Sequence, residues 1–583
     1  MRIDDVRRED LGECDLLILG AGAGGLATAT VASRLGLKVI LAEKESVVGG
    51  TAARSGGVVW VPNSRAAAAA HIQDSREKAK TYIRGHAGNC FNEQIVDTYL
   101  EHGPQALDFY ERETDLHFEL QALFPDYYAE AEGGLTGGRS LIAKHFDGRR
   151  LGEDIRKLRG TLPGGSFHGL QIGVLDYGYF LTSLRSFASF RYVVGAMAKL
   201  ALDRARYGRS MSLKNGNALV AALISTLLRH DTKIVTSTPA RSLIVEDGEV
   251  KGAILNFRGE PIRVTARRGV VLATGGFPHD RQRVAQLIPE IAHNPYMWKL
   301  IPDGNTGDGA RLAESVGGHV DARMVKPSSL APVIRTEDGE AQTGGFPLFM
   351  RHFPGMIAVL ANGRRFVSEA LSYHGFCLGM MAAGADTAFI IADHHALRRY
   401  GIGRIHPFPV PIGKHLRSGE LIRGRTLSEL AKAAGIDAAA LEETVARYNT
   451  GARKFTDPDF HKGETAYGRA YGDPAAAHPN LGPLEEFPFY AVKVHIGSLG
   501  TFAGIAINQH AGALDADRQP IKGLYAVGND AASFTGGHYI GAGITLGPAL
   551  TFGYLAAHHA AGRAVAASQP AAKAGAVPRG AMA

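Results

Sequence analysis

A chain of 583 residues with 45% hydrophobic and 21% charged content is globular, and its length points to two domains or one heavily elaborated domain. The net charge of +7 is small for this length and comes without a Lys/Arg run, which excludes nucleic acid as an expected partner. Cys14, Cys90 and Cys377 lie far apart, with no CxxC and no histidine at ligand spacing. That pattern excludes a disulfide framework and a metal or iron–sulfur site, and it fits a reducing cytoplasm.

In chain order, the charged N-terminus lacks the apolar core of a signal peptide. Asp15 to Gly20 (DLLILG) has the length and content of a buried parallel strand. It runs into GAGAGG, then a helical segment LATATVASRLG, then a second apolar run, KVILAE, at Lys38 to Glu43. Strand, glycine turn, helix and strand within about thirty residues form a βαβ unit. A second glycine stretch, Gly49 to Gly57, follows. Tyr177 to Leu202 is rich in aromatics but interrupted by Arg185 and Arg191, so it predicts a surface or cap helix rather than a membrane span. A peripheral membrane contact is the further expectation from that stretch.

Arg241 to Leu255 and Ile262 to Val271 predict strands, with the turn EDGE between Glu246 and Glu249. VVLATGG (Val270 to Gly276) is another apolar strand ending in glycines, and GLYAVGND (Gly523 to Asp530) repeats its pattern before a helix that starts near Thr545. The expected fold is α/β: a Rossmann-like, glutathione-reductase-like domain with an inserted α+β capping domain for the substrate. Its first part spans 1–276 with a cap-like insertion at about 151–212. The capping domain spans 277–490, the dinucleotide fold resumes over 491–565, and 566–583 form a disordered tail.

Gly20-x-Gly22-x-x-Gly25 is the dinucleotide fingerprint in its required context, after a strand and opening a helix. The glycines permit the turn, the approach of a pyrophosphate and the packing of helix on strand. The helix N-terminus then offers N–H groups and a positive dipole to phosphates. Glu43 ends the next strand, where a carboxylate can accept from ribose hydroxyls. Gly50, Thr51, Ala52, Ser55, Gly56 and Gly57 favour FAD over NAD, because glycines and small residues let a chain lie along an extended cofactor. No second fingerprint follows a strand, so no NAD(P)H domain is expected.

The segments VVGGTAARSGGVVWVP, PDYY, VVLATGGF, GNTGDGARLA, NGRRFVSEALSYHGF and GLYAVGNDAASFTGGHYIGAGITLGPALTFG together resemble one family. The chain is similar to flavoproteins of the fumarate reductase and succinate dehydrogenase superfamily, and most to their 3-ketosteroid Δ1-dehydrogenase branch. The resemblance implies that Gly20, Gly22, Gly25, Glu43, Lys44, Thr51, Ala52, Ser55, Gly56, Ala240, Thr274, Gly275, Asp308, Asn529 and Leu546 contact FAD. The superfamily's covalent flavin link uses a histidine in the early glycine segment. None stands there in this chain, so non-covalent FAD is implied.

Dehydrogenating a ketone at its α,β carbons needs a base for the α-proton, donors for the enolate oxygen, and an acceptor for the β-hydride, here the flavin N5. A phenol donates hydrogen bonds and, in a positive field, loses its proton. By the resemblance, Tyr373 abstracts the proton with Tyr127 hydrogen-bonded to it, while Tyr539 and the Gly543 N–H grip the carbonyl oxygen. Tyr128 is the alternative to Tyr127, and Ser372, His374 and His538 flank the site. Tyr373 stands four residues after Glu369, where fumarate-reducing relatives carry an arginine; a phenol suits a neutral ketone, whereas a dicarboxylate would want guanidinium forks. The expected partners are a small hydrophobic, steroid-like ketone and a quinone or other electron acceptor. A fumarate- or enoate-type reductase, marked by arginines around the flavin, and a flavin-binding protein without steroid activity are the alternatives.

Overall fold

The computed structural model describes residues 2–565 except 163–165, 168, 174–175, 184–185, 231, 298–299, 336–340, 343–349, 404, 406 and 408–410. The expected tail at 566–583 and Arg185 lie outside the described residues.

The chain opens with β1 (Leu16–Leu19), α1 (Ala23–Arg34) and β2 (Val39–Ala42). Both strands are buried throughout, as continuous apolar runs of a covered parallel sheet should be. α1 is buried from Ala23 to Ala32, as a helix with small and apolar residues on every side should be. A Cβ added at Gly25 would lie 1.9 Å from the Gly20 carbonyl oxygen, so only glycine lets this helix seat against its strand.

The segment expected to be an insertion, 151–212, carries α2 (Phe187–Tyr207). Then come β3 (Lys233–Val235), β4 (Ala240–Glu246), β5 (Glu249–Phe257), β6 (Glu260–Ala266) and β7 (Val270–Leu272). The single strand expected over Ile262 to Val271 is two. β6 pairs antiparallel with β5, whereas β7 pairs parallel with β1. Gly269 makes the break: its φ of +113° is open to glycine, and a Cβ there would meet the Gly523 carbonyl oxygen at 2.3 Å.

β8 (Ser328–Arg335), β9 (Met356–Val359), α3 (Tyr373–Ala382), β10 (Thr387–Ala392) and β11 (Phe489–Thr501) build the cap. β11 runs across the boundary expected at 490 and pairs with both β8 and β10. The chain returns through β12 (Gly512–Leu514), β13 (Pro520–Ala526) and α4 (Leu546–Ala560). Among the described residues the central sheet has the order β3–β2–β1–β7–β13–β12, parallel except for the last pair. Ligands of such sheets bind beyond the carboxyl ends of the strands. Gly20, Glu43, Ala273 and Val527, which follow β1, β2, β7 and β13, border one large cavity there.

Candidate active site

That cavity runs from the glycine loop to a cluster of tyrosines beneath the cap. Gly20, Gly22, Glu43, Lys44, Gly50, Thr51, Ala52, Ser55, Gly56, Gly57, Ala240, Thr274, Gly275, Asp308, Asn529 and Leu546 line it. Gly25 does not, because its one free direction is filled by the turn carbonyl described above.

The wall fits a dinucleotide on its own geometry. α1 is capped by Gly22 without a side-chain hydrogen bond, so its first amides remain available to phosphate. A Cβ at Gly22 would meet nothing within 4 Å, which is room a ligand can use. Glu43 also has a job that the sequence did not reveal, apart from the expected ribose contact. Its carboxylate accepts from the amides of Ala21 at 2.7 Å and Glu45 at 2.9 Å, bracing the glycine loop, and burial raises its pKa. Lys44 donates to the Gly304 carbonyl, the Thr306 hydroxyl and the Asp308 carboxylate, fixing the far wall.

Two polar residues that sequence reasoning missed brace this wall. Asp530 accepts from the amides of Thr274 at 2.5 Å and Gly276 at 2.9 Å, and burial pushes its pKa up to about 6. Its only signal was its place at the end of GLYAVGND. Asn305 donates to the Gly275 carbonyl and the Thr51 hydroxyl and lines the cavity.

At the other end, Tyr127, Tyr373 and Tyr539 come together from three distant parts of the chain and all border the cavity. The Tyr127 hydroxyl donates to that of Tyr373 at 3.0 Å. The Tyr539 ring stacks near that of Tyr127 (5.6 Å, 15°) and meets that of Tyr373 edge-on (5.1 Å, 70°). Burial raises all three phenol pKa values, those of Tyr127 and Tyr373 well above the usual range. Tyr128 sits against the His86 ring instead, at 4.7 Å. Phe124, Tyr471 and Leu499, absent from the sequence reading, supply further apolar wall.

Tyr373 is the first residue of α3, which Ser372 caps by accepting from the Gly375 amide. His374 is a strut: its Nδ1 accepts from the Leu330 amide, its Nε2 donates to the Gly537 carbonyl, and burial depresses its pKa to about 3. The ring is therefore neutral. Burial also lowers the pKa of His538. Gly543 borders the cavity too, and among the described residues no protein group accepts from its N–H. Arginines do line the cavity, but Arg54 donates to the Leu300 carbonyl and Arg159 stands 3.7 Å from the Glu45 carboxylate.

A model of the FAD binding domain family matches residues 15–546. The chain belongs to that family. Among curated relatives it is 40% identical to a 4-oxocyclohex-2-ene-1-carboxylate 5-dehydrogenase of Sinomonas cyclohexanicum, over 93% of each chain. It is 35% identical to a 3-oxosteroid 1-dehydrogenase of Mycobacterium tuberculosis, covering 95% of this chain and 99% of the relative. Among solved structures it is similar to a 3-ketosteroid Δ1-dehydrogenase of Sterolibacterium denitrificans in complex with 1,4-androstadiene-3,17-dione. The TM-score is 0.87 and the identity 32%, over 94% of this chain and all of the other. A flavocytochrome c3 fumarate reductase, 20% identical at a TM-score of 0.62, shares the fold. The family member is thus an FAD-dependent flavoprotein of the 3-ketosteroid Δ1-dehydrogenase branch.

Proposed function

We propose that this flavoenzyme introduces a C=C bond α,β to a ketone, with 3-oxosteroids as the leading substrate class. The observation that carries the reading is the Tyr127–Tyr373–Tyr539 cluster at the cavity wall, with the Gly543 N–H beside it. Bound FAD supplies the two-electron acceptor for the β-hydride. The chain's own residues do the rest. Tyr373, as phenolate, takes the α-proton and Tyr127 steadies its oxygen. The Tyr539 hydroxyl and the Gly543 N–H donate to the carbonyl oxygen as it gains enolate charge. The α-proton would end on Tyr373, bound FAD would accept the hydride, and the C=C bond would remain. A quinone-class acceptor then removes the two electrons, since the sequence carries no second dinucleotide fingerprint.

Anaerobic titration of the FAD-loaded protein tests this reading. 4-Androstene-3,17-dione or a 4-oxocyclohexanecarboxylate should bleach the flavin, and fumarate should not reoxidise the reduced form. Bleaching by neither ketone, together with rapid reoxidation by fumarate, would overturn it in favour of the reductase.

A cytoplasmic location belongs to the same reading, with Cys14, Cys90 and Cys377 as free thiols. So does peripheral membrane contact. Among the described residues no helix is long and apolar enough to cross a membrane. α2, however, turns an apolar stripe outward. Phe187 is 80% exposed, Phe190 49%, Val194 48% and Leu202 72%. These residues fall on one side of a 3.6-residue period, with the exposed Arg191 among them and the exposed Lys199 and Arg206 along one edge. The helix's one acid, Asp203, is buried and accepts from the Met211 amide. Outward apolar residues with cations among them and along one edge suit an anionic bilayer surface. Replacing Phe187, Phe190 and Val194 together by serine should weaken sedimentation with anionic phospholipid vesicles about tenfold or more, given the worth of burying each side chain. Unchanged sedimentation would remove membrane contact from the reading.

A further inference from the structure

Tyr127 and the loop from Tyr539 to Gly543 reach the cavity from opposite ends of the chain, yet their backbones are joined. The Tyr127 amide donates to the Ile540 carbonyl at 3.0 Å. The Tyr82 hydroxyl donates to the same carbonyl at 2.7 Å and accepts from the Tyr128 amide at 3.2 Å. Behind this joint lies a buried carboxylate that the chemistry above does not use, Asp126.

Asp126 Oδ1 accepts from the Trp60 indole Nε1 at 2.7 Å. Its Oδ2 accepts from Arg139 Nη1 at 2.7 Å and from the Leu135 amide at 3.1 Å. Asp74 holds Arg139 in turn, accepting from Nε at 2.9 Å and Nη2 at 2.6 Å. The Arg139 guanidinium also lies 5.6 Å from the Trp60 ring and 5.6 Å from the Tyr82 ring. Asp126, Arg139 and Trp60 are all buried, and none of them borders the cavity. Burial pushes the Asp126 pKa up to about 6, which leaves the carboxylate ionised at neutral pH. A buried charge paired on both oxygens holds its partners in one arrangement, because moving any of them leaves a charge or donor unpaired.

Trp60 carries that constraint to the far side of the site. It closes the short strand Val58–Trp60, and its own amide donates to the Gly543 carbonyl at 3.1 Å. A Cβ on Gly541 would stand 2.4 Å from the indole Cδ1 and Nε1. A Cβ on Gly543, whose φ is +96°, would meet the Val58 carbonyl oxygen at 2.5 Å. Ser140, next to Arg139, donates to the Ala542 carbonyl at 2.9 Å. The loop that presents Tyr539 and the Gly543 N–H is thus pressed onto a strand and a ring that Asp126 orients. The residue after Asp126 is Tyr127 itself.

We propose that Asp126 is a positioning residue: its carboxylate, through Trp60, keeps the Tyr127 hydroxyl and the Tyr539–Gly543 grip in register with each other. The proposal rests on Tyr127, Tyr539 and Gly543 acting on the ketone as proposed above. A carboxylate suits the task because it accepts on both oxygens. An amide of the same shape offers one acceptor and turns its own hydrogens toward Arg139 or Trp60.

The test is steady-state kinetics of flavin-loaded Asp126→Asn on a cyclic ketone. kcat should fall by about 30-fold or more, within the ~10²-fold that a small misplacement costs, while KM stays within about threefold. The flavin-to-protein ratio should match that of the wild type. Trp60→Phe removes the donor at the other end of the same bond and should lower kcat about tenfold. The double variant should be slower than the slower single variant by no more than about threefold, since both substitutions break one link. A kcat within about twofold of the wild type in Asp126→Asn overturns the proposal, as do losses that multiply in the double variant. If Asp126→Asn yields no folded protein, Trp60→Phe decides alone: a lowered kcat at unchanged KM supports the link, and a wild-type kcat refutes it. Tyr539→Phe separates the two failures. Wild-type turnover there removes the grip that Asp126 aligns, whereas a slow Tyr539→Phe beside a normal Asp126→Asn sinks the positioning role alone.

Discussion

Replacing Tyr373 by phenylalanine should lower the rate of ketone-dependent flavin reduction by about 10³-fold, within the range that general bases contribute, or roughly 4 kcal/mol of barrier. The substitution removes one oxygen and leaves a ring of the same shape in a buried site, so α3 and the cavity wall should persist. The flavin spectrum should therefore be unchanged while bleaching slows. Tyr127 loses its hydrogen-bond acceptor at the same time and has no other hydroxyl at bonding distance to replace it among the described residues. Anaerobic stopped-flow mixing with a 3-oxosteroid reads the effect directly. A rate within about fivefold of the wild type would assign the proton transfer to another group.

The second large effect belongs to Tyr539. Tyr539→Phe should lower turnover by about 10²-fold or more, the usual cost of losing one donor to a developing oxyanion. The Gly543 amide remains, so a residual rate should survive. The loss should fall on kcat more than on KM, because the donor matters most when the oxygen carries enolate charge. Steady-state kinetics on FAD-saturated protein separates the two. A variant whose KM rises while kcat stays constant would show that Tyr539 binds the ketone without helping its chemistry.

The cofactor half of the molecule was legible in the sequence for a physical reason. Strands buried on both faces must be unbroken apolar runs, so β1, β2, β7 and the buried end of β13 (Leu524–Ala526) announce themselves, and the glycines between them mark where backbone crowds backbone. The cap was not legible. β11 pairs with β8 and β10, which lie far away in the chain, and no local pattern records such partners. For the same reason Tyr127, Tyr373 and Tyr539 emerged from resemblance to a family rather than from spacing. Asn305 and Asp530 each look ordinary in sequence, and only folding reveals which carbonyl or amide each one meets. Gly269 divided a stretch that reads as continuous, because its conformation is dictated by Gly523 in another part of the chain.

β11 deserves a mechanical reading. Its thirteen residues extend for about 43 Å at the rise of an antiparallel strand. Its first half pairs with β10 and its second half, out to Thr501, pairs with β8, while Thr501 also reaches the turn at Gly276 and touches Asn529 at the cavity wall. A rod clamped at both ends transmits displacement rather than absorbing it. A tilt of the sheet that carries β8 and β10 would therefore be felt at Gly276 and Asn529, on the far side of the cavity.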